Sequence, residues 1–219
     1  MIGLAMSNVD PNMTIPGAKG MVLGNDPVAY AAPSVSEPSV FLDIALSNVA
    51  SLKVVQARKD GRQIPPTWIV DKDGLPTTDP SHYPEEGAMQ PMGAHKGYGL
   101  AVLVELLTAI LSGGPTSASG EIVSWCFEPE KKNNVSHVFI AINPALFGME
   151  QPVAERVEAL SEKLHAAPTA AGGKIFVPGE IEWEKQRKAS AEGITLPPEV
   201  EQSIRALAEE TGLPLPLFD

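Results

Sequence analysis

Residues Gly93 to Gly114 read GAHKGYGLAVLVELLTAILSGG, and the rest of the chain is organised around this stretch. From Gly97 to Leu111 apolar residues fall on nearly every side of a helical projection, the pattern of a helix buried in a core. Gly113, Gly114 and Pro115 end it. Its opening places glycines at 93, 97 and 99 around His95 and Lys96. A helix N-terminus offers unpaired backbone N–H groups and the positive end of the dipole, and glycines let a phosphate approach closely. Lys96 would add a full positive charge there and His95 a further donor. The same glycines equally serve close packing of a buried helix, with Lys96 solvated. Spacing leaves both readings open.

Upstream, Ile2 to Met6 is an apolar run that begins at once and predicts a strand, and Asp10-Pro11-Asn12 and Pro16-Gly17 supply turns. Val28 to Ala32 predicts a second strand, after the turn Gly24-Asn25-Asp26-Pro27. The Ser/Pro-rich stretch from Pro33 to Pro38 leads into a third, Val40 to Leu46, with Asp43 inside it. Residues 49 to 60 predict a short amphipathic helix. From Gly61 to Met92 the chain is dense in Pro, Asp, Thr and Gly and reads as a long loop, functional or wrapped over a partner surface, with a tight turn at Asp71-Lys72-Asp73-Gly74. Downstream, Val135 to Ile142 predicts a strand ended by Asn143-Pro144, and Val153 to Leu164 a helix. Lys174 to Val177 predicts a short strand, and Pro197 to Leu213 an amphipathic helix ended by Gly212. The class is mixed α/β, without the regular βαβ spacing of a doubly wound sheet.

Composition narrows the functions. Sixteen basic against 27 acidic residues give a net charge of −11, the wrong sign for a nucleic-acid binder. The longest apolar run, Leu100 to Leu111, is interrupted by Glu105 and Thr108 and falls short of the ~20 residues of a bilayer span. The N-terminus lacks the basic lead of a signal peptide. A cytoplasmic chain is expected. The single cysteine, Cys126 beside Trp125, is expected in the core and rules out an internal disulfide.

No GxGxxG, GxxxxGK[ST] or GxSxG motif is present. None of His82, His95, His137 and His165 belongs to an HxxxH or HExxH pair, so no metal site is expected. His137 and His165 read as structural and His82 as a solvated loop residue. Asp43 in VFLDIAL either accepts hydrogen bonds from ribose hydroxyls, or orients another group, or caps a turn. In each case its apolar neighbours predict a buried, hydrogen-bonded carboxylate. Ser7-Asn8 and Asn25-Asp26 are polar pairs at strand ends that either line a cleft or make Asx turns.

The pieces IGLAMSN, LGNDPVAYAAP, FLDIALS, IPPTWIVDKDGLPTTDP, GAHKGYGLAVLVELLTAILSGG, FIAINPALF and EGITLPPEVEQSIRALAEETG occur in this order. In that order they resemble the malate/L-lactate dehydrogenase family, a non-Rossmann family of NAD(P)-dependent 2-hydroxyacid dehydrogenases. The resemblance implies a mixed sheet with surrounding helices, NAD or NADP as cofactor, a small 2-hydroxy or 2-oxo acid as substrate, and a homodimer. Carried over by motif, the strand from Ser39 through Asp43 and Ile44 to Ala45 looks like part of the nucleotide site. His95 and Lys96 look like phosphate contacts. Gly179, Glu180 and Ile181 resemble a loop that closes on the cofactor, and Ser7 a polar position near the nicotinamide. It further implies a nucleotide-binding domain over residues 1–150 and a helical segment over 151–219 that returns to an N-terminal domain.

Two departures stand out. The family usually reads Gly-Thr-Asn-Pro where this chain has Gly24-Asn25-Asp26-Pro27. Its acid/base histidine and substrate-clamping arginine belong to an N-terminal segment without a counterpart here, and Met1 falls at an internal strand of the pattern. The chain therefore looks N-terminally truncated, its catalytic residues are not assigned, and slow turnover by these residues alone is the expectation. The alternative is a non-catalytic nucleotide-binding or dimerisation remnant.

Overall fold

A computed structural model describes residues 1–36, 39–124, 126, 128–148 and 151–214. The apolar runs read from the sequence become strands β1 (Ile2–Ser7), β2 (Val28–Ala32), β3 (Val40–Ile44) and β7 (His137–Ile142). They form one sheet in the order β3-β2-β1-β7, every pair antiparallel. Parallel pairing is confined to the isolated Met13–Met89 bridge among the described residues. The class is mixed α/β, and helices α1 (Ser51–Lys59), α2 (His95–Glu105) and α3 (Val153–His165) complete this part.

Residues 61–92 are not a loop. They fold into a small sheet of β4 (Ile69–Val70), β5 (Pro76–Thr77) and β6 (Ala88–Met89), in the order β5-β4-β6, with a 3₁₀ turn at Pro80–His82. Two-residue strands carry no periodicity to read, which is why turn chemistry dominated the sequence. The Asp71 turn forms as expected: Asp71 Oδ1 accepts from the Asp73 and Leu75 N–H groups, and Gly74 sits at φ 80°. Ile69, Tyr83 and Met89 from this region pack with Met13, Leu46, Val54 and Val104 into the hydrophobic core. Each such buried side chain contributes about 1.5–3 kcal/mol.

Helix α2 is buried on one side only. Gly97, Ala101, Val104 and Glu105 face the interior, and a π-helical turn at Leu106–Ile110 carries Thr108 and Ala109 on the same side. Leu100, Leu103, Leu106, Ile110 and Leu111 are exposed, against the expectation of burial all round. At Gly97 the packing reading of the glycines holds. A Cβ there would lie 2.6 Å from the Met92 carbonyl oxygen and 2.8 Å from that of Leu46, so only glycine lets the backbones approach.

Three further expectations are corrected. Lys174 to Val177 joins no strand ladder; the Phe41 N–H instead donates to the Pro178 carbonyl at 3.1 Å. Cys126 is exposed and not in the core, and its neighbour Trp125 lies outside the described residues, as do Glu37 and Pro38 of the Ser/Pro stretch. Glu180–Glu192 is a helix, α4, whose charged sequence EIEWEKQRKASAE shows no apolar stripe to announce it.

The chain divides into two compact units, Met1–Gly179 and Glu180–Asp219. In the second, α4 is followed by α5 (Pro198–Thr211), which Gly212 ends in the left-handed conformation at φ 68°. No helix among the described residues is long and apolar enough to cross a membrane.

Candidate functional site

The four-stranded sheet has two unlike faces. Cross-strand partners share a face, so the register groups Gly3, Ala5 and Ser7 with Ala29 and Ala31, with Phe41 and Asp43, and with His137, Phe139 and Ala141. The other face carries Leu4, Met6, Val28, Tyr30, Leu42, Ile44 and Val138. Of these, Met6, Val28 and Ile44 pack on the core. The first face is open. At its polar end Ser7, Asp43, His137 and Phe139, with Ala5, Pro27 and Ala29, line a cleft of about 170 Å³.

Asp43 is therefore exposed, its carboxylate in no ion pair or side-chain hydrogen bond among the described residues, and the expectation of a buried, satisfied carboxylate fails. The reason is strand alternation. Leu42 and Ile44 point to the opposite face from Asp43, so its apolar neighbours in sequence are not its neighbours in space.

The second cluster lies where α2 begins. His95 and Lys96 are exposed, and Lys96 enters no ion pair among the described residues. Lys96, Gly97 and Tyr98 already donate their N–H groups to the Gly93, Met92 and Ala94 carbonyls. The helix end thus offers fewer free donors than its sequence implied, and the lysine ammonium carries most of its attraction for an anion. Gly93 at φ 58° and Ala94 at φ 53° turn the chain into the helix. Both line a cleft of about 560 Å³ with Thr14, Asn48, Thr67 and Gln90.

Backbone pairing joins the two clusters. Directly after β3, Ser47 bridges Pro91, the Met92 N–H donates to the Leu46 carbonyl at 2.7 Å, and the Asn48 N–H donates to Gln90 at 2.9 Å. The segment that follows Asp43-Ile44-Ala45 is thereby joined to the segment that leads into His95-Lys96. At the other end of β3, next to Ser39, the Phe41–Pro178 bond brings in Gly179, at φ 98°, where an added Cβ would lie 2.6 Å from the Phe41 ring. Glu180 and Ile181 are the first residues of α4 in the second unit, and not a loop.

Sequence reading missed what holds the cleft in shape. Asn8, Asp26, Glu105 and Ser117 are all buried behind the end of β1. The Asn8 side-chain amide donates to Glu105 Oε2 at 3.3 Å and to the Pro115 carbonyl at 3.0 Å, and its oxygen accepts from the Ser136 N–H at 2.8 Å. Glu105 Oε1 accepts from the Ser117 N–H at 2.8 Å, and the Ser117 hydroxyl donates to the Val9 carbonyl at 2.6 Å. Asp26 Oδ1 accepts from the Val9 N–H at 3.3 Å, and its Oδ2 is buried without a partner. Burial first, and the Glu105 charge second, push the Asp26 carboxyl up to about 8. Near neutral pH this acid is largely protonated, a neutral group at the position where the family pattern has an asparagine. The sequence signal was Glu105 interrupting an apolar helix, since a buried acid requires partners.

An open antiparallel sheet face and a helix start carrying Lys96 define the class of α/β protein to which the site belongs. A sequence model of malate/L-lactate dehydrogenase matches residues 1–205, and the chain belongs to that family. It is 34% identical over 213 residues to the L-sulfolactate dehydrogenase of Methanocaldococcus jannaschii, covering 97% of this chain and 60% of that one. The solved structure of the sulfolactate dehydrogenase from that organism superposes with a TM-score of 0.84 at 33% identity, over 97% of this chain and 60% of the other. The NAD(+) ureidoglycolate dehydrogenase of Escherichia coli K12 is 32% identical over 202 residues, 92% of this chain and 56% of its own length. A (2R)-3-sulfolactate dehydrogenase (NADP(+)) of Chromohalobacter salexigens is 35% identical over 209 residues, 95% of this chain and 59% of its own. The chain thus spans about three fifths of the length of these relatives.

Proposed function

We propose that this chain is the cofactor-binding portion of an NAD- or NADP-dependent oxidoreductase acting on a small 2-hydroxy or 2-oxo acid. The observation that supports the reading is the pairing of Leu46–Asn48, which follow Asp43 to Ala45 in the chain, with Gln90–Met92, which precede His95 and Lys96. The donor set fits a dinucleotide. Lys96 neutralises phosphate without first breaking an ion pair, and Asp43 accepts from ribose hydroxyls. Ser7 adds a hydroxyl at the end of the same face. The nicotinamide supplies the hydride chemistry, and this chain's residues hold it in orientation and shield one side from water. A nucleotide-binding domain over 1–150, a helical segment over 151–219, a homodimer and a cytoplasmic location belong to the same proposal.

The test is NADH and NADPH binding by calorimetry at low salt. Lys96→Ala is expected to weaken binding by about 1–3 kcal/mol, the cost of losing a charged hydrogen bond. Unchanged affinity removes the phosphate role. Absence of any binding by the unaltered chain removes the proposal.

A further inference from the structure

The open sheet face holds two side chains that the family motifs leave unassigned, His137 and Phe139. They stand on β7, opposite Ser7 and Ala5 of β1, and their rings lie 6.3 Å apart at 34°. Phe139 is 78% exposed, and both residues line the same 170 Å³ cleft as Ser7 and Asp43. Between the outer strands the floor is made of Ala5 and Ala29, and a Cβ added at Gly3 would meet nothing within 4 Å. The result is a shallow trough with a flat, small-residue floor, an aromatic edge and three polar groups at one end. A space of ~150 Å³ accommodates one six-membered ring.

We infer that His137 and Phe139 form a wall of the subsite for the ribosyl-nicotinamide end of the cofactor, with the His137 ring hydrogen-bonding its ribose or carboxamide and Phe139 covering its apolar edge. The inference rests on the dinucleotide reading above and deepens it. Three observations carry it. The polar end of the trough, lined by Ser7, Asp43 and His137, matches a sugar bearing an amide-substituted ring, and the floor between β1 and β2 admits a flat ring because only the methyl groups of Ala5 and Ala29 rise from it. The Asn8 network fixes the wall: Asn8 exchanges backbone and side-chain bonds with Ser136, directly before His137, so the ring's strand is held in register with Ser7. His137 is a positioning residue in this account, and no proton-transfer step is assigned to it.

The experiment uses the 219-residue chain, with NADH, reduced nicotinamide mononucleotide (NMNH) and ADP as probes. His137→Ala and Phe139→Ala are expected to weaken NADH and NMNH about fivefold, the loss of one hydrogen bond or ring contact, with ADP affinity unmoved. His137→Gln, which keeps a donor, is expected to recover most of the loss. Lys96→Ala is expected to weaken ADP and NADH alike. Because a substitution on β7 can disturb folding, the unaltered chain supplies a second readout. The ring-proton resonances of His137 are expected to shift with NADH and NMNH but not with ADP. Resonances that stay fixed with NADH and NMNH, or that move equally with ADP, overturn the subsite. If Lys96→Ala still weakens NADH in that case, the dinucleotide reading stands without it. If the unaltered chain binds neither NADH nor ADP, both fall.

Discussion

Ser7 and Asn8 are consecutive residues with opposite physical surroundings. Ser7 ends β1 on the open sheet face and lines one cleft with Asp43 and His137, where groups keep their contact with water. Asn8 turns inward and is fully buried with Asp26, Glu105 and Ser117. In the first region a polar group costs nothing to present and its value is realised on binding. In the second each polar group has lost its water, so its value lies in its partners and its removal exposes the whole desolvation cost. The buried set is scaffold for the open set, and substitutions in the two should separate stability from affinity.

The largest effect is expected from Asn8→Ala. It deletes two donated bonds and one accepted bond and leaves Glu105 short of a donor, so a loss of about 2–4 kcal/mol in urea unfolding is expected. A change within experimental scatter would mean the network is not what holds the end of β1. Gly97→Ala comes next. Its Cβ would press on the Met92 and Leu46 carbonyls, so about 1–3 kcal/mol of destabilisation is expected, together with a weaker nucleotide site, since those carbonyls join β3 to α2.

Asp26→Asn tests the buried region by pH. The Asp26 carboxyl is raised from its ordinary 3.8 to about 8 in the folded chain. Below the lower value both states are protonated and the group contributes no penalty. Between the two the unfolded chain ionises and the folded one does not, so stability falls as pH rises, by at most ~1.4 kcal/mol per unit. Above about 8 the penalty is complete and constant. Asparagine, always neutral, removes that slope. Thermal melts from pH 5 to 8 should therefore show the variant gaining on the unaltered chain with rising pH, and parallel curves would refute a protonated Asp26. The smallest stability change is expected from Asp43→Asn, within ~0.5 kcal/mol because the group is exposed. Calorimetry should nevertheless show weaker NADH binding. A stability loss as large as that of Asn8→Ala would erase the contrast between the two regions.

The main strands were legible because predominantly apolar runs of five or six residues, bounded by Pro, Gly and Asn turns, admit little else. Helices α1, α3 and α5 followed from apolar spacing. The small sheet was not legible, since its two-residue strands exist only through pairing with one another and with the core. Helix α4 has no stripe to read. Of the site, the Lys96 corner could be located from glycine spacing and a helix start. The buried polar network could not be assembled, because Asn8, Asp26, Glu105 and Ser117 lie up to 109 positions apart and meet only in the fold.

What the sequence by itself determined is local: where the four longer strands and helices α1, α2, α3 and α5 run, where turns break them, and that a charged, glycine-flanked corner opens α2. Which side of each element meets water was decided by tertiary structure alone. Asp43 appeared buried from its neighbours and is exposed, Leu100 to Leu111 appeared buried on all sides and is bare on one, and Glu105 appeared as an interruption and is sealed in a network. The physical reason is that burial is a property of what packs against a residue, and those partners arrive from distant parts of the chain.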